Sequence, residues 1–153
     1  LNQSLRLDLM KVGIINNSKH ENPSYKTGGS SGMDIRANIN NTIIVKPGER
    51  EVIPTGLFLE IPTKFEAQVR PRSGLALNAG VTVLNTPGTI DADYRGEILV
   101  ILINHSKQLF KIEDGDRIAQ LVISKVEKAE WHQLSVLTKT KRDKDGFGST
   151  GKK

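Results

Sequence analysis

The sequence predicts an all-β domain, a sandwich or barrel, on three observations. Strand-sized apolar runs recur roughly every 8–12 residues with turn residues between them. Only Ser73–Ala79 has helical character, and Gly74 and Gly80 hold it to about two turns. The chain has 153 residues, 37% hydrophobic and 25% charged, which bounds it to one soluble globular domain, or one domain with a tail.

Leu5, Leu7 and Leu9 alternate with Arg6, Asp8 and Met10, a period of two that reads as a half-buried strand. Gly13 to Gly32 is rich in Asn, Ser and Gly and reads as a long loop. Ile43–Val45 leads into the turn signal Lys46-Pro47-Gly48-Glu49. Val52–Ile61 and Phe65–Arg70 are short apolar runs bounded by Pro54, Pro62 and Pro71. Val81–Leu84 is β-branched, and the continuously apolar Ile98–Ile103 is expected of a strand covered on both faces. Leu109–Ile112 and Arg117–Val126 follow, with Asp114-Gly115 as the turn between them. Periodicity fades after Val126. The expected boundaries are a β domain over 1–138 and a flexible C-terminal tail over 139–153.

With no Cys, a disulfide framework, a zinc-thiolate site and a cysteine nucleophile are excluded. The longest apolar run, Ile98–Ile103, is far too short to span a bilayer, and Leu1–Val12 alternates instead of forming an apolar signal core. No membrane association is expected, and an intracellular, cytoplasmic location is. The net charge of +5 is unevenly spread. Residues 139–153 carry six basic and two acidic residues, a local +4, so residues 1–138 carry only +1. A neutral body argues against a nucleic-acid partner, whose basic stripe would lie on the fold itself. The basic tail reads either as a solvated appendage or as a local anion binder.

Four segments carry candidate chemistry. Gly146-Phe147-Gly148-Ser149-Thr150-Gly151 is literally G-x-G-x-x-G, but the dinucleotide loop must follow a strand and open a helix, and here the chain ends two residues later. What remains is local: glycine amides, the Ser149 and Thr150 hydroxyls, and the charges of Arg142 and Lys152 can wrap phosphate oxygens. Phe147 can stack on a nucleobase. In Asn85–Glu97, Pro87-Gly88 and Arg95-Gly96 are turn signals that place Asp91 on a short bent element. Its carboxylate can serve as a general base for water or be a turn aspartate. In Arg70–Ala76, Ser73 is a good N-cap, and Arg72-Ser73-Gly74 at a helix start also suits an anion. In Arg117–Val122, Gln120 stands among apolar neighbours and calls for a partner. His20, His105 and Trp131 read as surface or packing residues.

In this order and spacing the segments resemble the trimeric dUTP diphosphatase (dUTPase) family. Ser31-Gly32-Met33-Asp34-Ile35-Arg36-Ala37 resembles its first motif, with Tyr25-Lys26-Thr27 before it. Pro71–Ala76 is similar to the second, Gly88–Ile98 to the third, Arg117–Val122 to the fourth and Arg142–Gly151 to the fifth. The resemblance implies a jelly-roll-like β-barrel that assembles as a homotrimer. Each site would take the first, second and fourth motifs from one chain, the third from a neighbour and the fifth from the other neighbour's tail. It also implies an enzyme, Mg²⁺-dependent, that converts dUTP and water to dUMP and pyrophosphate. Asp91 resembles the base that activates water for in-line attack on the α-phosphorus. Asn85 and the backbone through Gly88, Thr89 and Ile90 resemble the uracil reader, and Tyr94 the residue whose ring lies against deoxyribose. Arg72, Ser73, Gly74 and Gln120 resemble phosphate ligands. Phe147 would stack on uracil, while Arg142, Gly148, Ser149 and Thr150 close over the phosphates. Mg²⁺ would sit mainly on phosphates and water, with Asp34 at most an outer-shell partner.

One departure stands out: Asp145 occupies a position where the family usually has glycine. Two rivals share the scaffold, a dCTP deaminase and a non-catalytic dUTP-binding regulator. Asp91-Ala92-Asp93-Tyr94 and the uninterrupted fifth motif favour the diphosphatase over the first. An intact Asp91 argues against the second.

Overall fold

The computed structural model describes residues 10–144 and 146. The strand expected over Leu5–Leu9 therefore lies outside the described residues, as do Asp145, Phe147, Gly148, Ser149 and Thr150. In chain order the elements are β1 (Gly13–Asn16), β2 (Met33–Arg36), β3 (Ile43–Val45), β4 (Arg50–Pro54), β5 (Leu57–Glu60), β6 (Phe65–Arg70), α1 (Ser73–Ala79), β7 (Val81–Val83), β8 (Gly88–Ile90), β9 (Leu99–Asn104), β10 (Phe110–Ile112) and β11 (Arg117–Lys125). All strand pairs among them are antiparallel, in the orders β2-β11-β6-β8, β4-β9-β7, β1-β5 and β10-β3.

Alternation builds the core. Ala67 and Val69 of β6, Val100 and Leu102 of β9, Val81 and Val83 of β7, and Ile112 of β10 all point inward and are at most 3% exposed. Strand β11 departs from alternation, with Ile118 and Ala119 both buried and Leu121 and Val122 both buried. Its register to β2 shifts between Arg117 and Ala119, a bulge that lets Ile118 and Ala119 both face the core. Beyond the bulge, Gln120 stands opposite both Asp34 of β2 and Arg70 of β6. Past the bulge, Gln120, the polar residue within the apolar stretch Ile118–Ile123, faces the edge where the second motif begins.

Four expectations are corrected. Residues 13–32 are not all loop: β1 pairs with β5 from Gly13↔Glu60 to Asn16↔Leu57. Val52–Ile61 is two strands, parted at Thr55-Gly56. Ser73 does not cap α1. Arg72 is the N-cap, at φ −92° and ψ 127°, and no side chain caps the helix. The apolar run Ile98–Ile103 is covered on only one face of the single chain. Val100 and Leu102 are buried, whereas Leu99 is 45% exposed beside Val52 and Leu84, at 52% and 44%. The expectations over Phe65–Arg70 and Ser73–Ala79 match residue for residue. From Glu127 to Lys144 the chain is exposed and carries no strand or helix, with Trp131 95% exposed.

Candidate active site

Strand β2 presents Asp34 outward, next to the point where the chain leaves β6 through Pro71. Two arginines converge on its carboxylate. Arg72 Nε donates to Oδ1 at 2.9 Å, and Arg117 Nη1 donates to Oδ2 at 3.2 Å. Arg72 Nη1 also donates to the carbonyl of Arg117 at 3.1 Å. The side chains of Arg72 and Asp34 are 25% and 21% exposed, so the pair is partly desolvated and its geometry well defined. Gln120 has the partner its surroundings called for: Nε2 donates to the carbonyl of Pro71 at 2.9 Å. Its Oε1 lies against Gly32, where any β-carbon would collide with it. The first motif therefore needs glycine at 32 so that Gln120 of the fourth can brace the start of the second.

Arg72 precedes the first turn of α1, whose opening amides have no acceptor inside the helix. Ser73 and Gly74 are exposed, and a β-carbon at Gly74 would meet nothing within 4 Å. An adjoining pocket of about 300 Å³ is bordered by Arg72, Lys111, Asp116 and Arg117. Free amides and two guanidinium groups at one concave edge suit a multiply charged anion.

The third-motif residues lie along β8. Gly88 pairs with Val69 and packs against Asn85, whose Nδ2 would lie 3.3 Å from an added β-carbon. Thr89 is exposed and Ile90 half-buried opposite Ala67. Asp91 follows in a turn closed by the Tyr94 amide donating to the Asp91 carbonyl at 3.1 Å. Asp91 borders a pocket of about 550 Å³ with Lys64, Glu66, Asp93 and Lys128. Tyr94, 44% exposed, donates its hydroxyl to the carbonyl of Glu97 at 3.0 Å.

The register along β6 separates these two groups within the chain. Asp91 continues past Ile90 toward Glu66, whereas Arg72 continues past Arg70. Four residue rises lie between Glu66 and Arg70, about 13 Å at strand geometry. The structure thus brings together Asp34, Arg72 and Gln120, beside Ser73 and Gly74. It does not bring Asp91 or Tyr94 to them. Arg142 falls in an exposed turn where Asp143 N–H donates to Thr140 Oγ1 at 3.0 Å. The remaining fifth-motif residues lie outside the described ones.

Sequence reasoning missed Arg117 as a partner of Asp34. The pairing of β2 with β11 decides it, and nothing local in the sequence announces that pairing. His20, read as surface or packing, is hydrogen-bonded through Nε2 to Asp114 Oδ1 at 3.1 Å. The Ile39 amide donates to the same Asp114 oxygen at 3.0 Å, and that bond, followed by the one to His20, holds the Asp114 carboxyl below its ordinary value.

A family model described as dUTPase matches residues 18–151. The chain belongs to the dUTPase family. It is 53% identical over 141 residues to the deoxyuridine 5'-triphosphate nucleotidohydrolase of Cytophaga hutchinsonii, covering 92% of each chain. It is 52% identical over 147 residues to that of Rickettsia akari, covering 96% of this chain and 99% of the relative. Among solved structures, a mutant dUTPase of Staphylococcus bacteriophage 80alpha with dUpNHpp aligns at a TM-score of 0.81 and 25% identity, over 92% of this chain and 98% of that one. The family's jelly-roll-like β fold is the fold described above.

Proposed function

We propose that this chain is a dUTP diphosphatase that hydrolyses dUTP to dUMP and pyrophosphate in a site shared between the chains of a homotrimer. The observation that carries the reading is the clamp of Arg72 and Arg117 on Asp34 beside the open start of α1. It forms a fixed, positively charged edge with no base attached. Asp91, the base in this reading, follows β8 about 13 Å away along the sheet, which supports a site divided between two chains. A neighbour's Asp91 completes each site. An apolar outer face on β4-β9-β7, with Val52, Leu84 and Leu99 exposed, gives the copies a surface to pack on.

In this reading Arg72, Ser73, Gly74 and Gln120 hold the triphosphate, while Asn85, Gly88, Thr89 and Ile90 read uracil. Cytosine would leave buried donors and acceptors of that hairpin unpaired, which disfavours it strongly. The Tyr94 ring lies against deoxyribose and leaves no room for a 2′-hydroxyl. Asp91 takes a proton from water as its oxygen attacks the α-phosphorus. The bond from that phosphorus to the bridging oxygen of the β-phosphate breaks in line, and pyrophosphate leaves with the electron pair. Arg142, Phe147, Gly148, Ser149 and Thr150 close over base and phosphates. The product dUMP is a precursor for dTMP synthesis, and lowering dUTP keeps uracil out of DNA.

The described residues contain no group of three or more His, Asp or Glu side chains that could hold a metal ion. Both Asp34 oxygens already accept from guanidinium groups. In this reading Mg²⁺ would be held mainly by the triphosphate oxygens and water, where it would supply charge neutralisation. Asp34 reaches it at most through water.

The decisive experiment is pyrophosphate release from dUTP, with ammonia release from dCTP as the counter-assay. Turnover of dUTP alone is expected, and Asp91→Asn should lose more than about a hundredfold in kcat while still binding dUTP. Ammonia from dCTP would favour the deaminase, and dUTP binding without turnover the regulator.

A further inference from the structure

We infer that Arg95 is a positioning residue for the reaction: its guanidinium fixes the backbone of the Asp91–Tyr94 turn and so the place of the Asp91 carboxylate. The inference rests on reading Asp91 as the general base.

Sequence reading gives Arg95 only as half of a turn signal, yet its side chain folds back over the turn that precedes it. Nη1 donates to the carbonyl of Ala92 at 2.7 Å and to that of Tyr94 at 3.0 Å. Nη2 lies 3.8 Å from Glu60 Oε1 at the end of β5. The turn has a single backbone bond of its own, Tyr94 N–H to the Asp91 carbonyl. It projects from β8, which pairs over only three residues. Besides that backbone bond and Arg95, residues 92 to 94 are held by Ala92, which packs against the edge of the core, and by the ring of Tyr94. That ring is itself pinned, since its hydroxyl donates to the Glu97 carbonyl and a β-carbon at Gly96 would strike it. Glu97 is anchored in turn. Its Oε1 accepts the amides of Thr55 and Gly56 at 3.1 and 2.8 Å. The downstream arm of the hairpin is thus tied to the barrel through Glu97, and the upstream arm through β8. Arg95 ties the turn between them.

Stability and catalysis should respond differently to its loss. The Arg95 side chain is 54% exposed and Glu60 76%, so water replaces the lost hydrogen bonds and the ion pair adds little to folding. Geometry is far less forgiving, because a 1 Å displacement of a reacting group can lower a rate by about a hundredfold. An exposed arginine that matters little to folding therefore matters to kcat.

The test compares full-length Arg95→Met, Arg95→Lys and Asp91→Asn, and the double variant Asp91→Asn/Arg95→Met, with dUTP. Arg95→Met is expected to lower kcat by about ten- to a hundredfold, with Tm and assembled mass unchanged. Arg95→Lys, which keeps a donor, should recover part of the loss, and added guanidinium ion should recover part of it in Arg95→Met. In the Asp91→Asn background, single-turnover rates should show no further loss, because both changes remove one function. Wild-type kcat in Arg95→Met overturns the inference while leaving the Asp91 reading intact. So does an equal loss in both backgrounds, or disassembly of the variant. Full activity in Asp91→Asn alone overturns the base reading, and the inference falls with it.

Discussion

At its Arg72 end the β2-β11-β6-β8 sheet fixes side chains with side chains. At its Asp91 end it fixes a backbone turn and leaves the carboxylate uncommitted. Asp34 and Asp91 show the contrast directly. Asp34 is 21% exposed and each of its oxygens accepts from an arginine, so its charge is committed to orienting two cations. Asp91 is exposed, and among the described residues no ion pair or side-chain hydrogen bond occupies its carboxylate. An anion-binding edge gains from preorganised charge. A base must meet water and accept a proton, so its support has to come from the main chain around it.

The largest test of this division mixes two crippled chains. In the proposed reading Arg72→Ala removes the cationic edge and Asp91→Asn the base, so each alone should be nearly inactive. Co-refolded at equal amounts, random trimers should place an intact Arg72 against a neighbour's intact Asp91 in about a quarter of sites. Recovery of activity in that range establishes that the ends act across chains. No recovery means that one chain supplies both ends.

A smaller effect is expected from Asp34→Asn. It leaves two arginines facing an uncharged amide that no longer pairs both. The residues are partly exposed, so the stability loss should stay near 1–2 kcal/mol. KM for dUTP should rise roughly tenfold, about 1.4 kcal/mol of lost ground-state binding, with kcat much less affected. A fall in kcat matching that of Asp91→Asn would show that Asp34 takes part in the chemical step.

How legible each end was in the sequence follows the same division. The Asp91 end is local: Pro87-Gly88 and Arg95-Gly96 bracket it, and the turn appears where those signals put it. The Arg72 end depends on pairing between residues more than 80 positions apart, Asp34 with Arg117, which no local pattern encodes. Even its helix misled. Ser73 has the chemistry of an N-cap, but Arg72, in extended backbone, takes that position and Ser73 lies inside the first turn. Strand β1 escaped notice because Gly13–Asn16 is short and exposed at three of its four residues, so burial never imposed alternation on it. The apolar run of β9 was read as covered on both faces, and within one chain the outer face is open. In the proposed trimer a neighbouring copy would cover that face.

The smallest effect is expected at a third carboxylate, Asp114, which serves neither end. It accepts the Ile39 amide at 3.0 Å and lies 3.1 Å from His20 Nε2 and 3.9 Å from Lys19 Nζ. These partners favour its charged form, so its folded pKa lies below the ordinary carboxylate value of about 3.9. The sign follows. Between the ordinary value and the lowered one, the unfolded chain binds a proton that the folded chain does not. The contribution of Asp114 is therefore complete above about pH 4 and is lost as pH falls through the lowered value. Asp114→Asn should lower Tm slightly and by a constant amount at neutral pH, since Asn can still accept from Ile39 but carries no charge for Lys19 or His20. The gap to the unmodified chain should close as pH drops below about 4. Thermal melts from pH 7 to pH 3 read this directly. A gap that persists in acid would mean that Asn disturbs the turn by its shape. The carboxylate's charge would then contribute nothing there.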